Sequence, residues 1–283
     1  MKDIVANRRR ISWRNKARLA MRVLRDNGPI WCAMFGLYYV SSAIADKASG
    51  SMTRLRIQKG VPGLNSVAMN REIWNSWDWS AAGKEWTVSD AWYESLIRNV
   101  LRRWIPSGSS VLEIGPGAGR WSEPLIDLAG RYVGVDVSTG AIEFCRKRFR
   151  DARDAEFMVG SGTDLSGVAD QSIDRIWSFD VFVHINAADI AKYLDEFNRV
   201  LKPGGLAIIH HGTVAGQLGG WRSDLMGSAM NTLLAERGFV LQASVDRWDD
   251  CGSSTALSGY GDLISIFARG TSDTCSSESV PAA

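Results

Sequence analysis

The sequence predicts a doubly wound, mostly parallel α/β sheet that carries a helical extension at its N-terminus. Three observations lead there. Strand-like runs that are almost wholly apolar alternate with helix-like runs between residues 110 and 211, the pattern of a parallel sheet covered on both faces. The first run, residues 110–114, leads straight into Gly115-Pro-Gly-Ala-Gly119, a loop almost without side chains that ends at a helix start. Ahead of both lies a basic stretch and then an apolar one. The 283 residues suit one large α/β domain with an appendage.

Residues 9–26 fit a basic helix with Ile11, Ala17, Met21 and Leu24 near one face. Asn27-Gly28-Pro29 stops it. Residues 30–45 are then 16 largely apolar positions, about 24 Å as a helix and short of the roughly 30 Å hydrocarbon core. Two readings stay open for residues 1–50. One is a helical hairpin that packs on the rest of the chain or on a second copy. The other is a peripheral membrane contact through residues 1–45, the basic helix meeting anionic lipid. Nine basic residues face two acids in residues 1–27 while the whole chain is only +2, so the remainder is net acidic. That remainder does not read as a nucleic-acid binder. Cys32, Cys145, Cys251 and Cys275 lie far apart without metal spacing and read as free thiols of a reducing, cytoplasmic compartment, at the inner face of the membrane if the arm docks there.

Residues 46–70 read as a linker. Within residues 51–105, a linker and tryptophan-rich lead-in, six of the twelve tryptophans fall between Trp74 and Trp104. A helix over residues 89–105 places Trp92, Leu96, Val100 (or Ile97) and Trp104 at helical spacing. Most of these rings belong in a core; Trp74, Trp77, Trp79 or Trp86 would serve as a lid or line a substrate site.

From residue 106 the pattern is regular. Strands are expected at residues 110–114, 132–137, 156–159, 174–179 and 206–211, with helices over 121–128, 141–149 and 188–201. Ligands bind such sheets beyond the strand carboxyl ends, near the order reversal. A dinucleotide fingerprint needs glycines at positions one, three and six. Counted from Gly115, they stand at one, three and five, and Arg120 holds the sixth. Glu113 precedes the loop, and Asp136 ends the second strand, where a carboxylate would accept both hydroxyls of a ribose.

Four motifs in order, Glu113-Ile-Gly-Pro-Gly-Ala-Gly119, Gly134-Val-Asp136, Asp174-Arg-Ile-Trp-Ser-Phe-Asp-Val-Phe-Val-His184 and Arg199-Val-Leu-Lys-Pro-Gly-Gly205, make residues 104–268 resemble a class I, Rossmann-like S-adenosylmethionine-dependent methyltransferase. The resemblance implies a seven-stranded sheet, closed by a helix at residues 226–238 and strands at 240–248 and 263–268. It implies S-adenosylmethionine as cofactor. Glu113 would order the loop near the methionine amine, with Gly115, Gly117 and Gly119 against the cofactor and Asp136 on its ribose. Ser161, Gly162 and Thr163 would meet the adenine, Ser161 standing where many relatives carry Asp. Phe179 and Asp180 would face the methyl-transfer site. The domain is expected to end at residue 269, before a disordered tail.

Methyl transfer is an in-line displacement, so the protein mainly positions the acceptor; a hydroxyl acceptor also benefits from a base. The three histidines, His184, His210 and His211, all fall at strand carboxyl ends. Alternation sends His210 and His211 to opposite sides. His211 is the expected base, His210 the fallback, His184 a third candidate, and Asp180 a group to orient one of them or to ligate a metal with one. No metal site is expected. Residues 212–223 would form a flap whose Arg222 suits an acidic or phosphorylated acceptor. The function expected is methylation of a small-molecule or glycan hydroxyl. N-methylation of an amine or polypeptide, and an inactive cofactor-binding partner subunit, are the alternatives. A homo-oligomer is compatible with the arm.

Overall fold

A computed structural model describes residues 12–215 and 220–270. The expected tail and part of the flap lie outside the described residues. The chain divides into two compact units, Met1–Gly60 and Val61–Ala283.

In the first unit, helix α1 (Trp13–Lys59) begins at Ser12, whose side chain accepts from the Asn15 amide. The expected stop is a break inside it: Gly28 takes φ 80° and ψ 172°, and helix resumes at Pro29. Proline suits a first helical position, where its missing N–H is not needed. The linker expected from residue 46 begins only after Lys59. Ala48, Met52 and Leu55 continue the apolar spacing there, and Gly60, at φ 63°, ends the helix by donating to the Arg56 carbonyl.

In the second unit, α2 (Val67–Asn75) precedes two short 3₁₀ turns (Trp79–Ala81 and Lys84–Trp86) and α3 (Asp90–Leu96). Instead of one regular helix to residue 105, α3 passes through a π turn (Ile97–Leu101) into α4 (Arg102–Trp104). The wider turn buries both Ile97 and Val100, between which regular spacing has to choose.

The strands are β1 (Ser110–Ile114), β2 (Arg131–Asp136), β3 (Ala155–Val159), β4 (Ile173–Ser178), β5 (Leu201–His211), β6 (Phe239–Val245), β7 (Arg247–Asp250), β8 (Ser253–Ala256) and β9 (Leu263–Arg269). Seven form one sheet in the order β3-β2-β1-β4-β5-β9-β6, with β9 antiparallel to both neighbours. The helices α5 (Ser122–Leu128), α6 (Thr139–Arg148), α7 (Ala187–Val200) and α8 (Ala229–Glu236) complete the fold. Successive residues of β1 feed opposite layers: Val111 packs with Trp121 and Trp177, Leu112 with Phe197 and Leu194. The single strand expected over residues 240–248 is two. It breaks at Asp246, and β7 folds back on β8 through Cys251 and Gly252, both at positive φ. Trp248 of this hairpin donates to Ser95 Oγ (2.7 Å), which seats it on α3.

Candidate active site

β1 and β4 are neighbours, yet the chain leaves β1 toward β2 and β3 on the other side. This order reversal opens a crevice beyond the strand carboxyl ends. A cavity of about 320 Å³ lies there, lined by Gly115, Gly117, Asp136, Phe179, Asp180, His184 and His210 among others.

The glycines are required by space as well as by conformation. Gly115 has φ 72°, and a side chain there would run into Val181. Gly117, at φ 54°, lies under the Trp79 ring, which a Cβ would meet at 3.0 Å. The Gly117 amide donates to Asp136 Oδ2 (3.0 Å) and the Ser138 amide to Oδ1 (2.9 Å). Each carboxylate oxygen thus keeps a lone pair for a further donor from the cavity. Burial raises the Asp136 pKa, and these amides oppose that shift.

Glu113 is placed differently from the expectation. It is 1% exposed and does not line the cavity. Its Oε2 accepts from Ser122 Oγ (2.7 Å) and Tyr132 OH (2.5 Å), joining α5 to β2 beneath the loop. Burial pushes its carboxyl up to about 7 against those two hydrogen bonds. Of the loop expected at the adenine end, only Gly162 lines the cavity. Ser161 instead closes its own turn, accepting from the Thr163 and Asp164 amides.

The tryptophans form one wall. Trp74 makes ring contacts with Trp77, Trp79, Trp86, His184 and Trp221 at 5.5–6.3 Å between centroids. Arg120 ties this wall to the glycine loop. It donates to the Gly83 carbonyl (3.2 Å), Thr87 Oγ1 (2.9 Å) and Asp180 Oδ2 (3.0 Å). In the sequence Arg120 is legible only as the residue that is not the sixth-position glycine.

From Asp180 a chain of charges crosses the cavity floor. Asp180 itself sits at φ 59°, a left-handed conformation that costs a non-glycine residue energy and recurs at functional sites. His210 Nδ1 lies 3.1 Å from the Asp180 amide and 3.2 Å from its Oδ1; Nε2 lies 3.5 Å from Asp262 Oδ2. Burial lowers the His210 pKa, but the two carboxylates outweigh it and the net shift is upward. The ring stacks on Phe179 at 4.2 Å. Asp262 in turn pairs with Arg222. The expectation that Arg222 greets an acidic acceptor is therefore corrected, since Asp262 already balances its charge. Asp262 has a positional signal: Leu263 pairs with His211 in the antiparallel register, so the preceding residue must come to the strand tops.

His211 faces away from the cavity, contrary to the expectation that it meets the acceptor. It is 1% exposed, with Nδ1 3.0 Å from the Gly212 carbonyl and Nε2 2.8 Å from Ser265 Oγ. Burial lowers its pKa to about 4. Alternation separates the two histidines, and the side of β5 that faces the crevice is that of His210. His184 also lines the cavity. Its Nδ1 is 3.0 Å from the Trp221 carbonyl, which can only accept, so Nδ1 carries the proton and neutral Nε2 keeps a lone pair. Burial lowers its pKa. Asn65, absent from every sequence motif, holds this segment by donating to the His184 and Trp221 carbonyls, both at 2.9 Å. Among the described residues, no group of three His, Cys, Asp or Glu side chains is arranged to hold a metal ion.

These features fit S-adenosylmethionine. Asp136 has the lone pairs for ribose hydroxyls, the glycine loop leaves its backbone bare, and aromatic faces suit a sulfonium cation. Residues 112–209 match the family model described as a methyltransferase domain. An uncharacterized methyltransferase of Mycolicibacterium gilvum is 33% identical over 116 residues, 41% of this chain and 44% of that protein. A demethylmenaquinone methyltransferase of Paenarthrobacter aurescens is 33% identical over 117 residues, 38% and 44% of the two chains. The chain spans about half the length of the curated relatives it matches. Among solved structures, a S-adenosylmethionine-dependent methyltransferase from Aquifex aeolicus has the same fold, with TM-score 0.51 and 17% identity over 68% of this chain and 98% of that one. By its domain match, its sheet order and its glycine loop, the chain carries over residues 112–209 a methyltransferase domain like those of the class I S-adenosylmethionine-dependent methyltransferases.

Proposed function

We propose that the protein transfers a methyl group from S-adenosylmethionine to a hydroxyl of a neutral small molecule or glycan, with His184 as general base. The cofactor supplies an electrophilic methyl on a sulfonium, a good leaving group. Asp136 and the Gly115–Gly119 backbone would hold it. The observation that carries the reading is His184: a neutral imidazole in the cavity wall, its tautomer set by the Trp221 carbonyl, with Nε2 left to accept a proton. His210, enclosed between Asp180 and Asp262, acts as a positioning residue. The cations beside the cavity, Arg120 and Arg222, are each matched by a carboxylate, which favours an uncharged acceptor over an anionic one.

The aromatic wall around Trp74 also favours a second reading, methylation of a flat ring such as a quinol. The demethylmenaquinone methyltransferases among the relatives are in keeping with it. Incubation with methyl-labelled cofactor and fractionated cell extract, followed by identification of the labelled product, tests both. A methyl ether supports the first reading and a ring carbon the second. Label on nitrogen, or none on any fraction despite cofactor binding, would overturn both.

A further inference from the structure

Helix α1 carries an apolar surface that the cofactor domain's chemistry does not use. From Pro29 to Ala45 it has no charged residue. Ile30, Leu37 and Ile44 are 81%, 63% and 64% exposed, in line at helical spacing with Met34, also exposed. Trp31 and Tyr38 flank this stripe, again exposed. The opposite side is hardly more polar: Cys32, Phe35, Gly36, Tyr39 and Ala43 lie there with a single aliphatic hydroxyl, that of Ser42. The most apolar 18-residue window of this helix has none of its residues buried.

Two occupants would cover such a helix, a second copy or a bilayer. A paired helix buries one stripe and keeps its outer face polar. Here the outer face is apolar too, so a helix paired on this stripe would leave Phe35 and Tyr39 on the far side. A helix whose apolar residues run round most of its circumference suits hydrocarbon. The preceding segment has the matching charge: Arg14, Arg18, Arg22 and Arg25 recur at helical spacing on one face. Gly28 then breaks the helix between the basic and the apolar parts, so the two take separate directions. At about 24 Å, the apolar run reaches most of the way through the hydrocarbon layer.

We infer that α1 is a membrane anchor: residues 29–45 insert into a bilayer, and the four arginines before Gly28 dock on anionic headgroups. Flotation of the full-length protein tests this, with vesicles of phosphatidylcholine alone or with about a third phosphatidylglycerol. The protein should float with the anionic vesicles. Leu37→Glu with Ile44→Glu should leave it at the bottom of the gradient. Changing the four arginines to Gln should reduce flotation on anionic vesicles at least about tenfold, with little change on neutral ones. Thermal stabilisation by S-adenosylhomocysteine, read on every variant, separates loss of the anchor from loss of the folded domain. The inference is overturned if the wild type stays at the bottom with both vesicles, or if the double Glu variant floats like the wild type. It is equally overturned if the lipid-free protein is a stable dimer that the double Glu variant splits and that does not float.

Discussion

His184 donates its Nδ1 proton to the Trp221 carbonyl oxygen, 3.0 Å away, so that the neutral ring offers Nε2 as an acceptor in a cavity that also holds the glycine loop. A general base contributes about 10²- to 10⁴-fold, and His184→Ala should lower kcat by that order while cofactor affinity changes less than about twofold. The pH profile carries a sign. Burial lowers the His184 pKa, and an imidazole accepts a proton only when neutral. The acid limb of kcat/KM should therefore fall below the ordinary histidine range, near pH 6.5. Steady-state kinetics with isothermal titration of the cofactor checks both. Unchanged kcat in His184→Ala removes the base.

Asp180 links Arg120 to His210, and its replacement should be felt at both. Burial alone lowers the His210 pKa; the carboxylates of Asp180 and Asp262 reverse that. Asp180→Asn removes one of them, so the His210 pKa should move down. Nitrogen-15 NMR of the three histidine side chains follows the titration directly. Loss of a charge-assisted hydrogen bond costs about 1.5–3 kcal/mol. Turnover should accordingly fall about ten- to a hundredfold. An unmoved His210 titration would show that Asp180 does not act through it.

The sheet was legible because each parallel strand is a near-continuous apolar run bounded by glycine or acid, a signal that does not depend on distant contacts. Asp136 was legible for the same reason, as the acid at a strand tip. What escaped depends on tertiary register. Which of His210 and His211 faces the crevice turns on the phase of a strand that begins with Leu201-Lys-Pro-Gly-Gly205, where pairing with β4 shifts between Ile173 and Arg175. Asp262 becomes part of the site only because β9 runs antiparallel beside β5. Glu113 matched its motif, yet its direction is decided by Tyr132 and Ser122, partners 19 and 9 residues away. The helix past residue 46 was hidden by Gly50 and its neighbouring serines, weak formers that an apolar spacing overrides.

Asp136→Ala tests the cofactor end. It removes the acceptor for both the Gly117 and Ser138 amides and the lone pairs left for ribose hydroxyls. Two charge-assisted hydrogen bonds at about 1.5–3 kcal/mol each correspond to roughly 10²- to 10⁴-fold weaker binding. Isothermal titration with S-adenosylhomocysteine measures it. A change below about threefold would show that Asp136 does not hold the ribose.

His211 predicts a stability effect with a definite sign. Its folded pKa is about 4, because burial opposes the charge, against about 6.5 unfolded. Between those values the unfolded chain binds the extra proton, so unfolding free energy rises with pH in that window. The contribution is fully present above pH 6.5 and is lost as pH falls toward 4, by about 3 kcal/mol in all. Glu113 works the opposite way: with its folded pKa raised to about 7, its stabilisation is present below its ordinary range and is lost as pH rises through 7. The two partly cancel in the wild type, so the difference against a variant isolates His211. His211→Asn should shift stability by a constant at neutral pH, through the lost contact with Ser265. Below pH 6.5 it should lose less than the wild type with each step of acid. Urea midpoints at pH 7, 5.5 and 4.5 for both proteins decide: parallel pH dependence would mean that His211 titrates normally in the fold.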